Sequence, residues 1–202
     1  MEIKNIIFDV GNVLVCWDPY AVFKNYFKNR AEVESFLKEI DFENVNLAMD
    51  KGLSFKEAIG GLVKKFPQYK EAIEAYDKNW LSSITGEVEG SLNLIKELKK
   101  AKYNIYGLTN FSREKFDICT QKYPFADSFD GLVVSADVNE IKPSEKIYKI
   151  LLSKYNLKPE ESVFIDDKKE NVDAAQHLGV NTILFENTLQ ARGALKKMGV
   201  KI

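Results

Sequence analysis

Ile6-Ile7-Phe8-Asp9-Val10-Gly11-Asn12-Val13-Leu14 is the stretch that decides how the remainder of the chain reads. Its first residues are apolar at successive rather than alternate positions, the pattern of a strand buried on both faces, and it then breaks into an aspartate and a Gly-Asn turn. Working outward, the buried run extends over Ile3 to Asp9, and similar short β-branched or aromatic runs recur at Tyr103 to Thr109, Leu132 to Ser135, Ser162 to Asp166 and Thr182 to Phe185. Between them lie stretches with apolar residues three and four apart, at Gly90 to Ala101, Ser144 to Tyr155 and Glu170 to Leu178, the last closed by Gly179. Strand and helix in alternation predict an α/β fold with a doubly wound parallel sheet and right-handed crossovers.

One interval breaks the alternation. From about Pro19 to Gly86 the chain shows helical pattern at Tyr20 to Phe27, Glu32 to Ile40, Phe55 to Phe66 and Tyr69 to Leu81, and no convincing strand. Residues 1–18 and 87–202 are therefore expected to form the core, and 19–86 a small helical cap inserted after the first strand. The other reading of 19–86 is a set of crossover helices packed on the sheet.

Composition narrows the classes of partner. With 202 residues, 45% hydrophobic and 29% charged, and a formal net charge of -1, the chain is an ordinary globular sequence with no electrostatic pull on nucleic acid or anionic membrane. No apolar stretch approaches the roughly 20 residues of a membrane span. Met1 to Asp9 lacks the pattern of a signal peptide. Cys16 and Cys119 fit neither a zinc spacing nor a disulfide framework. A cytoplasmic protein, monomer or homodimer, binding neither nucleic acid nor membrane, is the expectation.

In an open α/β sheet the ligand crevice lies beyond the carboxyl ends of the strands. Here those ends carry Asp9, Gly11 and Asn12; Thr109 and Asn110; and Asp166 and Asp167, while Lys142-Pro143 follows the third strand of the core. A single aspartate there is usually a turn or a cap. Three acids meeting at one edge repel, by up to about 4 kcal/mol per pair at about 4 Å and an effective dielectric of about 20. A cation is expected among them. Carboxylates, waters and a substrate phosphate around a hard ion suit Mg²⁺, and Lys142 supplies a second positive charge.

These four segments, in this order and across nearly the whole chain, resemble the motifs of the haloacid-dehalogenase-like superfamily: Ile6 to Leu14, Leu108-Thr109-Asn110, Lys142-Pro143, and Phe164-Ile165-Asp166-Asp167 with Asn171 four residues on. The resemblance implies a Mg²⁺-dependent phosphatase that acts through an aspartyl-phosphate on a small phosphorylated metabolite. Asp9 would be the nucleophile and, with Asp167 and the carbonyl of Gly11, a metal ligand. Asp166 and Asn171 would orient that shell. Thr109 and the amide of Asn110 would hold phosphoryl oxygens, and Lys142 would neutralise charge on phosphate and on Asp9.

The chain departs from the family at Gly11, where most phosphatases of the superfamily carry a second aspartate that protonates the leaving oxygen and then activates water. Losing such a group typically costs about 10²- to 10⁴-fold. The Asp-x-Gly-Asn arrangement resembles a subset that includes bacterial sugar-phosphate phosphatases acting on α-glucose 1-phosphate, whose anomeric oxygen leaves more readily. Asp18, in the turn before Pro19, is a candidate replacement acid, beside its ordinary reading as a turn-former. Trp17, Asp50, Lys51 and Trp80 are candidate specificity residues of the cap. Core packing is the ordinary reading of the tryptophans and a helix-ending turn that of Asp50-Lys51-Gly52, with Ser54 capping the next helix. His177 and the pairs Lys99-Lys100, Lys168-Lys169 and Lys196-Lys197 read as surface. Two rival functions remain at this level: hydrolytic dehalogenation, which needs no leaving-group proton, and binding of a phosphorylated ligand without turnover.

Overall fold

A computed structural model describes residues 2–202. Seven strands form, β1 (Asn5–Phe8), β2 (Val15–Trp17), β3 (Ile84–Glu87), β4 (Asn104–Thr109), β5 (Gly131–Val134), β6 (Ser162–Asp166) and β7 (Asn181–Leu184). Five of them make one parallel sheet in the order β5-β4-β1-β6-β7, and each agrees within two residues at either end with a run expected to be a strand. β1 lies at its centre, with Phe8 in register with Gly107 of β4 and Ile165 of β6. That register brings the polar residues after β1, β4 and β6 to one edge.

Burial on both faces follows the two-residue period of a strand. Ile6, Phe8, Ile105 and Ile165 belong to one core with Leu94 and Leu98 of α6 (Ser91–Lys100), Phe116 of α7 (Arg113–Lys122) and Leu195 of α11 (Thr188–Lys197). Ile7, Tyr106, Leu108 and Phe164 belong to a second core with Ile147 and Leu151 of α9 (Glu145–Lys154) and Ala175 of α10 (Lys169–His177). A single turn, α8 (Ser135–Val138), follows β5. The sheet is covered on both sides, as an all-parallel sheet must be.

Between β2 and β3 the chain makes five helices, α1 (Tyr20–Phe23), α2 (Arg30–Glu39), α3 (Phe42–Asp50), α4 (Phe55–Lys65) and α5 (Lys70–Lys78). Two starts are capped from the sequence. Asn29 accepts from the Glu32 amide at 3.0 Å while the Glu32 carboxylate accepts from the Lys28 amide, and Ser54 accepts from the Glu57 amide at 3.2 Å. Aromatic rings fill the interior: Tyr76 lies 4.9 Å from Phe42, 5.7 Å from Phe23 and 5.8 Å from Phe55, and Phe23 lies 5.3 Å from Phe36. Three details differ from expectation. The helix expected over Tyr20 to Phe27 is one turn, and Phe42–Asp50 is a full helix. Ile84–Glu87, partly inside the interval expected to lack strands, pairs antiparallel with β2. β3 is too short and too polar, with Thr85, Gly86 and Glu87, to show as an apolar run, and its partner is distant in sequence. No helix among the described residues is long and apolar enough to cross a membrane.

Candidate active site

Asp9 leaves the central strand with its amide bonded to the Ile165 carbonyl at 2.9 Å, so the sheet itself fixes its backbone. Its Oδ1 accepts from the Val10 amide at 2.7 Å and sits 2.8 Å from Lys142 Nζ. Lys142 is 2% exposed, and its ammonium also reaches Asp166 Oδ2 at 2.7 Å and the Leu108 carbonyl at 3.0 Å. Three donors meet three acceptors, the condition for keeping a buried ammonium charged. Burial works against that charge, but Asp9 and Asp166 outweigh it and hold the Lys142 ammonium above its ordinary value. The main chain of Lys142 is held as well. Its amide donates to Asn110 Oδ1 at 2.8 Å and its carbonyl accepts from Asn110 Nδ2 at 3.0 Å. The Asn110 side chain is thereby spent on positioning, and only its backbone is left to meet a ligand.

The two neighbouring aspartates after β6 are in different conditions. Asp166 is fully buried, with Oδ1 accepting from the Lys168 amide at 2.8 Å and from Asn171 Nδ2 at 2.9 Å, and Oδ2 accepting from Lys142. Asp167 is half-buried and, among the described residues, accepts only from Asn12 Nδ2, at 3.3 Å. Asp166 is therefore committed to the fold, whereas Asp167 retains lone pairs for a ligand. One oxygen from each of Asp9, Asp166 and Asp167 lies within 4.8 Å of the others, an arrangement able to hold a metal ion.

Burial, followed by the charge of Asp166, pushes Asp167 above the ordinary carboxylate value. Asp9 is pushed up to about 7, first by burial; Lys142 pulls it down, and Asp166 and Asp167 raise it further. Three carboxylates against one ammonium is an arrangement short of positive charge. A pair of like charges at such a separation costs roughly 3 to 4 kcal/mol at an effective dielectric of about 20.

A cavity of about 340 Å³ opens above these groups, the size of a small-molecule site. Asp9, Gly11, Asn110, Lys142, Asp167 and Asn171 line its floor. Trp17, Phe42, Tyr76, Trp80 and Phe111 form an aromatic wall, and Glu43, Asn46 and Asp50 of α3 add polar groups. The expected Trp17, Asp50 and Trp80 are thus at the cavity. Thr109 ends β4 beneath the cavity-lining Asn110 without lining the cavity itself; it is 1% exposed, and its Oγ1 has no hydrogen-bond partner among the described residues. A buried hydroxyl left in that state is one that a phosphoryl oxygen could complete.

Asp18 is not at the cavity, contrary to its candidacy as a replacement acid or specificity residue. Its Oδ1 accepts from the Tyr20 amide at 3.0 Å and its Oδ2 lies 3.7 Å from Arg30, so the carboxylate is used in the turn before α1. Lys51 and His177 do not line the cavity either, and His177 is exposed. Glu43 and Asn46 of the cavity are not singled out by sequence, and Lys168 and Asn12 are underrated by it. Lys168, read as solvated surface, reaches the cavity rim, and its place directly after Asp167 was the available signal. Asn12 adopts φ 57°, tolerated by asparagine, and ties the loop after β1 together through Trp17 N at 3.0 Å and Asp167.

The family model for haloacid dehalogenase-like hydrolases matches residues 6–185. The chain is 25% identical over 196 residues to a D-ribitol-5-phosphate phosphatase of Bacteroides thetaiotaomicron, covering 92% of this chain and 93% of that protein. It is also 25% identical over 187 residues to drimenol cyclase drtB of Aspergillus calidoustus, where 91% of this chain spans only 34% of the other protein's length. Among solved structures, wild-type HAD family enzyme bt-2542 from Bacteroides thetaiotaomicron, in complex with magnesium and inorganic phosphate, aligns with a TM-score of 0.71 at 25% identity over 92% of this chain and 96% of that one. The family match runs from β1 through β7 and takes in every polar strand end that meets at the cavity, and the chain belongs to the haloacid dehalogenase-like hydrolase family.

Proposed function

We propose that this chain is a Mg²⁺-dependent phosphomonoesterase that transfers the phosphoryl group of a small phosphorylated metabolite, a sugar phosphate, to Asp9 and then to water. The observation that carries this reading is the state of Asp9. One carboxylate oxygen is pinned by Lys142, the other accepts no hydrogen bond among the described residues, and Asp9 lines the cavity. A positioned carboxylate with a free oxygen is what attack on phosphorus requires.

The donor set suits a hard divalent cation. Only oxygen ligands are offered, and the acidic cluster holds more negative charge than Lys142 alone balances. Asp9, Asp167 and the Gly11 carbonyl would hold Mg²⁺, with Asp166 and Asn171 orienting them. When bound, the ion supplies charge compensation to phosphoryl oxygens. The Thr109 hydroxyl and the Asn110 amide would bind the phosphoryl oxygens, and Lys142 would hold the Asp9 carboxylate ionised and in line.

Residues 19–86 are proposed as the cap that closes over the substrate. Aromatic faces beside Glu43, Asn46 and Asp50 favour a polyhydroxylated leaving group, which offers C–H faces for stacking and hydroxyls for hydrogen bonds. The named activity of the Bacteroides relative, on a five-carbon polyol phosphate, supports the same class. Dehalogenation has less support, because a departing halide gives the acidic trio no task.

Phosphate release from a panel of sugar and polyol phosphates tests this. Activity should require Mg²⁺, disappear with chelator and fall by at least about 10⁴-fold in Asp9→Asn. Release that persists in Asp9→Asn would refute the assignment of the nucleophile.

A further inference from the structure

The cavity holds a carboxyl for which attack by Asp9 has no use. Asp50 is the last residue of α3, and its Oδ2 accepts from Asn46 Nδ2 at 3.1 Å, while Asn46 Oδ1 accepts from the Tyr76 hydroxyl at 2.8 Å. Lys168 and Lys142 act on it through space rather than by a hydrogen bond.

Its main chain is stitched to the core. The Asp50 carbonyl accepts from Ser135 Oγ at 2.5 Å, and Ser135 Oγ accepts from the Phe111 amide at 2.8 Å. Two residues on, Gly52 adopts φ +113°, a conformation that favours glycine, where the chain passes beside Ala136 and Asn139 at α8. Asp50 is therefore presented to the cavity from a helix end held at fixed distance from the strand ends. At Gly11, by contrast, no side chain enters the site, and nothing lies within 4 Å of where a Cβ would be.

Resting on the phosphatase reading above, we propose that Asp50 is the catalytic acid and base of this enzyme, replacing the carboxyl that residue 11 does not provide. In the first half-reaction a bond forms between the free oxygen of Asp9 and phosphorus, the bond from phosphorus to the ester oxygen breaks, and the Asp50 proton passes to that oxygen, releasing an alcohol. In the second, the Asp50 carboxylate takes a proton from water as the water oxygen bonds to phosphorus. The bond from phosphorus to Asp9 breaks, leaving inorganic phosphate, an ionised Asp9 and a protonated Asp50.

The surroundings suit both halves. Burial pushes the Asp50 carboxyl up to about 7, against the Ser112 amide and the charges of Lys168 and Lys142, which pull it down. The remaining ionisable groups around it are Glu43 on its own helix, Tyr76 on α5, and Asp9 and Asp167 across the cavity. A group poised near neutrality can both give and take a proton.

The test compares wild type and Asp50→Asn, both with Mg²⁺, on esters whose leaving groups run from 4-nitrophenol to primary alcohols. The proposal expects the alkyl esters to slow by about 10²- to 10⁴-fold. The initial burst of 4-nitrophenol, which leaves without a proton, should stay within a few-fold of wild type, followed by slow turnover as phosphoenzyme accumulates. Gly11→Asp added to Asp50→Asn should restore alkyl turnover at least tenfold. Equal loss on burst and alkyl turnover, or no loss on either, overturns the proposal. If Asp50→Asn does not fold, the wild-type dependence of kcat/KM on leaving-group acidity decides: a shallow dependence supports an internal acid and a steep one refutes it. Wild-type protein that releases no phosphate from any ester refutes the phosphatase reading and this proposal with it. Asp9-dependent release with an unaltered Asp50→Asn profile refutes this proposal alone.

Discussion

On one side of the cavity Lys142 satisfies Asp9, Asp166 and the Leu108 carbonyl within 3.0 Å, in a pocket almost closed to water. On the other, Tyr76 packs among Phe23, Phe42 and Phe55, and order comes from fitted rings rather than opposed charges. The first arrangement depends on every partner being present, because a buried charge that loses its counter-ion keeps the whole cost of desolvation. The second loses stability in proportion to the volume removed. Damage on the charged side should therefore appear in activity and stability together, and damage deep in the aromatic side in stability alone.

The largest break is expected from Lys142→Met, which leaves Asp166 buried without its ammonium. Urea unfolding should show a loss of about 3 to 5 kcal/mol, and phosphate release should fall by at least about 10²-fold even where the variant is folded. Preserved stability would mean that the ion pairs do not hold the strand ends. Phe36→Ala comes next. Phe36 is buried, in contact distance of Phe23 and Phe27, and does not line the cavity. Unfolding should report a loss of about 3 to 5 kcal/mol, with kcat/KM at low temperature within about threefold of wild type. A much greater loss of activity would show that packing in this segment and chemistry at the strand ends are not separable.

The smallest effect is one of pH. Asp9 ionises near 3.8 in the unfolded chain and at about 7 in the folded one, so between those values the folded protein keeps a proton that the unfolded chain has shed. Stability without divalent cation should therefore fall as pH rises through that window and level off above about 7, and Asp50, pushed up to about 7 as well, adds to the same slope. Saturating Mg²⁺ should reduce the slope by the share that Asp9 contributes, because the ion stabilises the ionised form of its ligands. A Tm that climbs from pH 5 to 7 without cation would contradict the crowding of charge at Asp9.

The parallel sheet was legible because Ile6-Ile7-Phe8 and Val163-Phe164-Ile165 are apolar at successive positions, which only double-sided burial explains. Knowing that ligands gather at carboxyl ends then brought Asp9, Lys142 and Asp167 to one edge, where the structure places them around a common cavity. The β2 and β3 pair was hidden by brevity and by polar residues. Asp50 and Asp18 show where reading the sequence stops. Each is an aspartate in a turn, and local pattern makes Asp18 the nearer candidate because it follows the first strand. The folded structure decides otherwise: Asp18 is taken up by the Tyr20 amide and Arg30 outside the cavity, while Ser135, distant along the chain, and Asn46, one turn earlier on α3, hold Asp50 at the cavity.

The β2 and β3 pair has a consequence of another kind. The polypeptide departs for the five helices through Val15–Trp17 and comes back through Ile84–Glu87, two neighbouring rungs of one antiparallel ladder. Departure and return are clasped about one inter-strand spacing apart, roughly 5 Å, whatever lies between them. Residues can be added or deleted inside the excursion without pulling on β1 or β4, since lengthening a closed loop costs little. Under the proposed function, substrate preference would be rebuilt by exchanging the excursion at the clasp, while the edge of the sheet that carries Asp9 stays as it is.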